Sequence, residues 1–583
     1  MKSFEFHGKQ AIINCKGEIC DSSKDLLSSE LFKEVLKRFL DELNVKGSHF
    51  LNIFPKNTGK LEQNRLILKL LLELSENRRE KAMENKQLAV FFNDIYLLHQ
   101  FVEKLYNFWR SYERFMVIYS EDGSKSLDKT AWTTFSKTIE KLNHIVRKLY
   151  RDICRNITKE RLSVYRQMPA GCQVGTIVTK KDWVCKCEPY TKLKDIHFIR
   201  QILIEPPLLI DPPMNKRSGQ FTRVDKNPLD KIKINEDDWL CYPAKVGDLV
   251  IYLFFNKTFI NLGTAVINLF DMVPDDELDK APDAVYLYGV PEEYMEHYKE
   301  KTVFYDDKEN DLLIGACPSN EKYGYFGYVK KMMLTLHNII VMKRGRLPVH
   351  GAMVRVEMKN GKNANVIIMG DTGTGKSESL EAFRIIGEKY IHDMTIIFDD
   401  MGSLEITEDG KIKAYGTETG AFVRLDDLQL GYTLGNVDRS IIMSPQKINA
   451  RAVLPITTLQ EVLHGYSVDY FMYANNYERV DSSKKYLEEF KDVNEAIKVF
   501  REGKRMAKGT TTETGLVCAY FANIFGPVQY KEMHDKLADK YFAALFRTGT
   551  IVGQIRTQLG IKGFESNGPE HAAEALFKEI CKR

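Results

Sequence analysis

Apolar residues recur at three- and four-residue intervals through the first 165 residues: Leu66, Leu68, Leu70, Leu71 and Leu72, then Phe101, Val102, Leu105 and Phe108, then Ile139, Leu142, Ile145 and Leu149. That period is one face of an α-helix, so residues 1–165 read as a bundle of long helices. Phe108, Trp109 and Tyr112 read as core or interface side chains, and the stretch holds no catalytic constellation. Its expected contribution is protein contacts. From 166 to 345 the pattern shifts to short β-rich runs such as Leu249-Val250-Ile251-Tyr252-Leu253-Phe254-Phe255, punctuated by Pro206-Pro207 and Pro212-Pro213. From 346 to 583 strands alternate with helices. The chain thus reads as α/β, in three regions without internal repeats.

The third region opens with an apolar run, Val366-Ile367-Ile368-Met369, that enters Gly370-Asp371-Thr372-Gly373-Thr374-Gly375-Lys376-Ser377. This fits G-x-x-x-x-G-K-[ST], and a helix is expected directly after it, over 378–386. Glycines let successive N–H groups turn onto phosphate oxygens, Lys376 adds charge at the β/γ positions, and the Ser377 hydroxyl can face a divalent metal. The helix brings the positive end of its dipole to the same anion. Strand, loop and helix in this order predict a nucleoside triphosphate site formed by Gly370, Asp371, Thr372, Gly373, Thr374, Gly375, Lys376 and Ser377.

A second run, Thr395-Ile396-Ile397-Phe398, ends in Asp399-Asp400. A buried strand would deliver both carboxylates to its C-terminal edge, where open α/β sheets bind ligands. Mg²⁺ or Mn²⁺ beside nucleotide phosphates needs one or two such hard oxygen ligands. Turn chemistry leading into Met401-Gly402 is the other reading of the pair.

Composition narrows the classes. With 84 basic and 80 acidic residues the net charge is +4, too balanced to make nucleic acid or an anionic membrane the expected partner. No apolar run reaches the roughly 18 residues that span a bilayer, and the start, Met1-Lys2-Ser3-Phe4-Glu5-Phe6-His7, lacks a signal-peptide core. The ten cysteines are scattered, and Cys185-x-Cys187 has no second pair at zinc spacing. Free thiols in a reducing cytoplasm are expected.

Around the phosphate loop, His350-Gly351-Ala352-Met353-Val354, Lys376-Ser377-Glu378 and Asp399-Asp400 resemble the HPr kinase/phosphoenolpyruvate carboxykinase superfamily. The loop's own spelling is closer to the HPr kinases. More distant segments resemble the ATP-dependent carboxykinases. Tyr325-Phe326-Gly327-Tyr328-Val329-Lys330-Lys331-Met332 is similar to the family's Tyr-Gly-Gly-Glu-Met-Lys-Lys, and Lys331 stands nineteen positions before His350, the family's spacing between two metal ligands. Glu418-Thr419-Gly420-Ala421-Phe422-Val423-Arg424 resembles a segment whose terminal base meets the γ-phosphate. Asn449-Ala450-Arg451-Ala452-Val453-Leu454-Pro455-Ile456 resembles one whose arginine bridges ATP and the carboxylic substrate. Gly509-Thr510-Thr511-Thr512-Glu513-Thr514 resembles the start of a mobile lid, and the stretch from Gln529-Tyr530 to Arg556-Thr557 resembles the segment that closes over adenine.

The resemblance covers 320–583 by motif, 170–320 by architecture, and the first 165 residues not at all. It implies a carboxykinase-like P-loop domain, a mixed α+β lobe before it, and an added helical bundle. It also implies ATP, Mn²⁺ or Mg²⁺, oxaloacetate, phosphoenolpyruvate and CO₂ as ligands. Lys331, His350, Ser377, Asp399 and Asp400 are the implied metal ligands; Lys331, Lys376, Asp400, Arg424 and Arg451 carry the chemistry; Arg556 and Thr557 join the nucleotide site. The family's Gly-Arg-Ser-Pro-Lys-Asp-Lys substrate loop has no full counterpart. Arg217, in Lys216-Arg217-Ser218-Gly219, and Arg223 are the candidates, with Tyr325 beside them. The lid segment has also lost its arginine.

Carboxykinase chemistry asks the protein to stabilise an enolate oxyanion and spread phosphoryl charge. A lysine ligand must first lose its proton, which costs about 4.6 kcal/mol at pH 7 from a reference pKa near 10.4. A divalent cation and the neighbouring Lys330 and Lys376 would have to supply it. Two other classes compete: a kinase in which one Asp is general base for a substrate hydroxyl, and a non-catalytic nucleotide sensor. All three share the phosphate loop. Lys376→Ala is therefore expected to abolish ATP-dependent turnover with an unchanged circular dichroism spectrum; unaltered ATP affinity and turnover would refute the assignment.

Overall fold

In a computed structural model, the periodic stretches of the first region form α-helices, the longest being Glu30–Val45, Lys60–Glu76, Ile95–Arg110 and Lys129–Thr158. The structure describes residues 3–15, 20–120, 129–159, 167–185, 187–371, 373–387, 390–425, 436–507 and 514–582. Thr372, the Ser377 side chain and the lid-like residues 509–513 lie outside the described set. Local chemistry sets the helix starts. Ser29 Oγ accepts from Phe32 N at 3.2 Å, and Asp94 Oδ1 accepts from Leu97 N at 2.8 Å, each satisfying an otherwise unpaired first-turn donor. The expected stripes are the buried ones, including Leu66, Leu70 and Leu71, Phe101, Val102 and Leu105, and Ile139, Leu142, Ile145 and Leu149.

The helices are not a bundle by themselves, which corrects the helical-bundle expectation. They accompany strands Phe4–His7, Gln10–Cys15, Glu113–Tyr119 and Val174–Thr179, which lie side by side in that order. The first pair is antiparallel and the next two are parallel. Runs such as Phe115-Met116-Val117 are buried on both faces, so they lack the alternation that separates a strand from a buried helical turn. The chain divides into two compact units, Met1–Lys181 with Ile199–Glu205, and Asp182–Phe198 with Pro206–Arg583. The regions expected over 166–345 and 346–583 thus lie mostly in one unit. Among the described residues no helix is long and apolar enough to cross a membrane, and the ten cysteines are free thiols.

The second unit is mixed α/β. One group of strands runs Trp239–Val246, Leu249–Asn256, Ala284–Val290, Leu312–Pro318, Val303–Asp307 and Thr222–Val224. An eight-stranded sheet follows, ordered Tyr466–Ser467, Ile412–Gly416, Ile391–Ile406, Leu347–Met358, Asn363–Met369, Tyr470–Asn475, Ile551–Arg556 and Leu487–Glu489. Its side chains alternate between two apolar layers. Met353, Ile367, Met369, Phe471 and Tyr473 pack with Phe500 and Phe542 on one face. Ala352, Val354, Val366, Ile368, Met472 and Ala474 pack with Leu380 and Phe383 on the other. A two-residue period covered by helices on both sides explains why these strands read as near-continuous apolar runs.

The helix Val493–Glu502 closes the first of those faces. Asp492 Oδ1 accepts from Asn494 N and Glu495 N at 2.8 and 3.0 Å, and Gly503 ends the helix at φ +54°. A Cβ on Gly503 would stand 1.7 Å from the Ala519 carbonyl oxygen, so only glycine fits there. Phe500 stacks on Phe471 with centroids 5.1 Å apart and is fully buried. Phe500→Ala is expected to lower the unfolding free energy by about 3–5 kcal/mol, read from denaturant midpoints; a loss below about 1 kcal/mol would show that this face relaxes around the gap.

Candidate functional site

The strand Asn363–Met369 ends at Gly370, and the helix Lys376–Gly387 begins six residues later. Between them Gly373 and Gly375 have φ of +77° and +95°, conformations that admit glycine with little strain. A Cβ on Gly375 would also lie 2.8 Å from Thr557 Cβ. The loop is fixed from several sides. Asn476 Nδ2 donates to Gly373 O at 2.9 Å, Thr557 Oγ1 to Thr374 O at 2.6 Å, and Thr374 Oγ1 to Asp371 O at 2.7 Å. Arg505 Nε donates to Asp371 Oδ2 at 2.8 Å. Lys376 is buried and its Nζ donates back to the Gly370 carbonyl.

Next to this loop, Gly370 N donates to His350 O at 3.0 Å. His350 lies on the strand Leu347–Met358, which pairs on its other edge with Ile391–Ile406, opposing Gly351 to Asp400 and Ala352 to Asp399. Asp400 is the point of convergence. Its Oδ1 lies 2.8 Å from His350 Nε2; its Oδ2 takes Lys330 Nζ at 2.9 Å and also Lys331 Nζ. Both lysines come from the helix Phe326–Lys343. Asp400 holds φ +143°, a strained value for a residue with a Cβ, of the kind that costs about 1–3 kcal/mol. His350 Nδ1 faces the Ala522 carbonyl and must donate to it, since a carbonyl only accepts. With Nδ1 so engaged, Nε2 is the ring nitrogen turned toward Asp400 Oδ1.

The buried charges move one another. Burial pushes the Asp400 carboxyl up, but Lys330, Lys331 and His350 outweigh it and hold it well below the ordinary range. Burial pushes Lys330 down, yet Asp400 and Glu418 raise it above its usual value. Lys331 comes out on the other side: burial dominates, Lys330 adds repulsion, and its amine is lowered. The two lysines also differ in access, Lys330 being 2% exposed and Lys331 17%. Glu418 pairs with Lys330 at 2.8 Å, and burial lifts it to about 7, with Lys330 opposing and Asp400 reinforcing the rise.

The Asp pair divides. Ala352, the register partner of Asp399, belongs to the apolar layer beneath the helix Lys376–Gly387, so Asp399 lies on the sheet face that carries that helix. Of the two arginines that the sequence offers as candidates, Arg217 is the one beside these groups. Its guanidinium stands 5.2 Å from the Phe525 ring centre, Lys331 Nζ is 4.8 Å from the same ring, and Arg217 senses the Asp371 charge. Burial lowers Arg217. Arg223 instead lies 5.0 Å over Tyr530, whose hydroxyl donates to Asp306. Arg424 and Arg451 oppose each other on paired strands. Arg451 stands 5.4 Å from the Phe422 ring, and its Nε has no hydrogen-bond partner among the described residues. Tyr325 is buried, its phenol raised by that burial, with Arg451, Arg217 and Lys330 acting against it.

Thr557 braces the loop as described, whereas Arg556 is spent on protein groups. Its Nε donates to Glu478 at 2.8 Å, its Nη1 to Lys485 O at 2.8 Å, and its Nη2 to Glu488. Four participants carried no sequence signal of their own role: Glu418, the Ala522 carbonyl, Phe525 and Arg505. Each reaches the site across a long stretch of chain.

One other donor group exists among the described residues, in the first unit: His99, Glu103 and Cys154, with donor atoms within 4.8 Å of one another. Glu103 already accepts from the Tyr150 hydroxyl, and burial and Glu103 push the Cys154 thiol up to about 12, which disfavours the thiolate a metal needs. No family model and no curated protein matches the chain.

A test follows from Glu418. Its folded-state value, about 7, exceeds the ordinary 4.5. Between these values the unfolded chain binds fewer protons than the folded one. The stability contributed by the neutral acid is present in full below about pH 4.5 and is lost as pH rises through about 7. Glu418→Gln is expected to remove this slope, so that the variant gains on the wild type from about pH 5 to about pH 8 in denaturant midpoints. A constant difference across that range would refute the assignment.

Proposed function

We propose that the chain is an ATP-dependent enzyme of the phosphoenolpyruvate carboxykinase kind, converting oxaloacetate and ATP to phosphoenolpyruvate, CO₂ and ADP. The observation that carries this reading is the meeting of Lys331, His350 and Asp400 one hydrogen bond from the phosphate loop. In the reaction the C–C bond to the leaving carboxylate breaks, its electron pair becomes the enolate, and the enolate oxygen attacks the γ-phosphorus as ADP departs.

The donor set fits a divalent cation: a carboxylate held ionised, an imidazole whose Nδ1–H is tied to Ala522 O, and a lysine whose amine is lowered. Mn²⁺ or Mg²⁺ held by Lys331, His350 and Asp400 would supply stabilisation of oxyanion charge. Lys330, itself paired with Glu418, holds Asp400 ionised. Arg451, with a free Nε, and Arg217 provide guanidinium forks suited to the substrate carboxylates, with the buried Tyr325 between their charges. Lys376 and the loop N–H groups receive the phosphates, and Asp399 stands on the same sheet face as the loop's helix, where a nucleotide-bound cation needs an oxygen ligand. Phe525 and Phe422 limit water around the cationic groups.

A general-base kinase is the weaker reading. Asp400 is engaged by three cationic or donor groups and lies well below its usual range, which makes it a poor proton acceptor. Purified protein with Mn²⁺, oxaloacetate and ATP is expected to form phosphoenolpyruvate. His350→Ala and Arg451→Ala are each expected to lose about 10²–10³-fold in turnover, the cost of removing one charge-stabilising group. ATP binding without oxaloacetate-dependent ADP release, under Mn²⁺ or Mg²⁺, would overturn the reading in favour of a kinase or a sensor.

A further inference from the structure

The first unit contains a cavity of about 380 Å³ enclosed by helices and strands together. Its deep wall is aliphatic: Leu71 from Lys60–Glu76, Leu105 from Ile95–Arg110, and Leu142 and Ile153 from Lys129–Thr158. Tyr106 and Tyr150, stacked at 4.0 Å with planes 9° apart, form a flat side. Ser3, Ser29 and Glu30 lie at the exposed end. Pockets for small organic ligands start at about 300 Å³, and an apolar cavity of only about 150 Å³ already stays dry and takes up benzene or xenon. Interiors otherwise pack to crystal-like density.

We propose that this cavity is a binding site for a neutral, mainly apolar small molecule, of the long-chain alcohol or acyl-ester class. Its polar wall groups are turned toward protein. Asn14 Nδ2 donates to Glu5 at 2.7 Å, Trp109 Nε1 to Ala170 O at 2.8 Å, and the Tyr150 hydroxyl to Glu103. What remains facing inward is hydrocarbon and aromatic surface, which favours apolar contact and offers little hydrogen bonding. Charge decides the head group. Among the described residues that line the cavity there is no lysine, arginine or histidine, and the charged one at its open end is Glu30, already paired with Lys33 at 2.7 Å. A carboxylate or phosphate ligand would meet Glu30 at that rim with no described cation to receive it, whereas a hydroxyl or ester finds Ser3. The cavity lies wholly within the first unit, so the inference is independent of the reaction proposed for the second.

The experiment titrates the full chain with Nile red, a neutral environment-sensitive dye, below any micelle concentration, then competes with 1-dodecanol and with dodecanoate. Saturable one-site binding is expected, displaced at least ten-fold more effectively by the alcohol than by the carboxylate. Val146→Trp places an indole in the cavity and is expected to weaken dye binding at least ten-fold with a melting temperature equal to or above wild type. Leu31→Trp, nearer the open end, gives the same readout should the first variant fail to fold, and an unchanged circular dichroism spectrum reports an intact chain. Absence of saturable binding, binding unchanged in a folded filled variant, or dodecanoate competing as well as dodecanol would overturn the proposal.

Discussion

A single carboxylate, that of Asp400, organises the centre of the second unit. It is largely buried, 18% exposed, beside two lysines and a histidine whose charges and donors it balances. Removing one partner from such a buried set typically costs about 3–5 kcal/mol, because a charge is left without compensation. The set also forces an asymmetry. Lys330 shares its charge with Glu418 and stays protonated; Lys331, with one carboxylate and a like-charged neighbour, is the one whose proton is easiest to remove. Adjacent residues on one helix thus acquire opposite chemical characters from their surroundings alone.

How much of this was legible in the sequence depended on distance along the chain. The order of strand, glycine loop and helix over 363–387 was, because these pieces are contiguous and each residue type answers a local demand. The Lys331–His350 spacing was legible through a resemblance, and the convergence near Asp400 agrees with it. Glu418 and Ala522 were not, since a buried acid or a backbone carbonyl becomes a site component only when distant segments pack together. Arg217 and Arg223 are indistinguishable as residues in a loop; an aromatic ring, Phe525 or Tyr530, decides where each guanidinium rests. Arg556 shows the reverse case, a basic residue in a suggestive segment whose charge is consumed by Glu478 and Glu488.

In the first unit the helices announced themselves and the strands did not. Amphipathic helices keep a polar face and therefore a period, whereas strands such as Glu113–Tyr119, covered on both sides, have no polar face to betray them. The same mixture of elements has a packing outcome. Helices and a sheet present surfaces of different curvature, and an aliphatic cavity lies between them in this unit.

The hydrogen bond from Gly370 N to His350 O joins the first residue of the glycine loop to the main chain of the histidine beside Asp400. Because His350 in turn sits on the strand registered against Asp400, three neighbouring strands act as a gauge block: the spacing between the glycine loop and the backbone that carries the imidazole is set by ladder geometry, not by side-chain rotamers. Such an arrangement tolerates exchange of the surrounding side chains more readily than any slip in strand pairing, since a shift by one residue would swap His350 for a neighbour on the other side of the sheet.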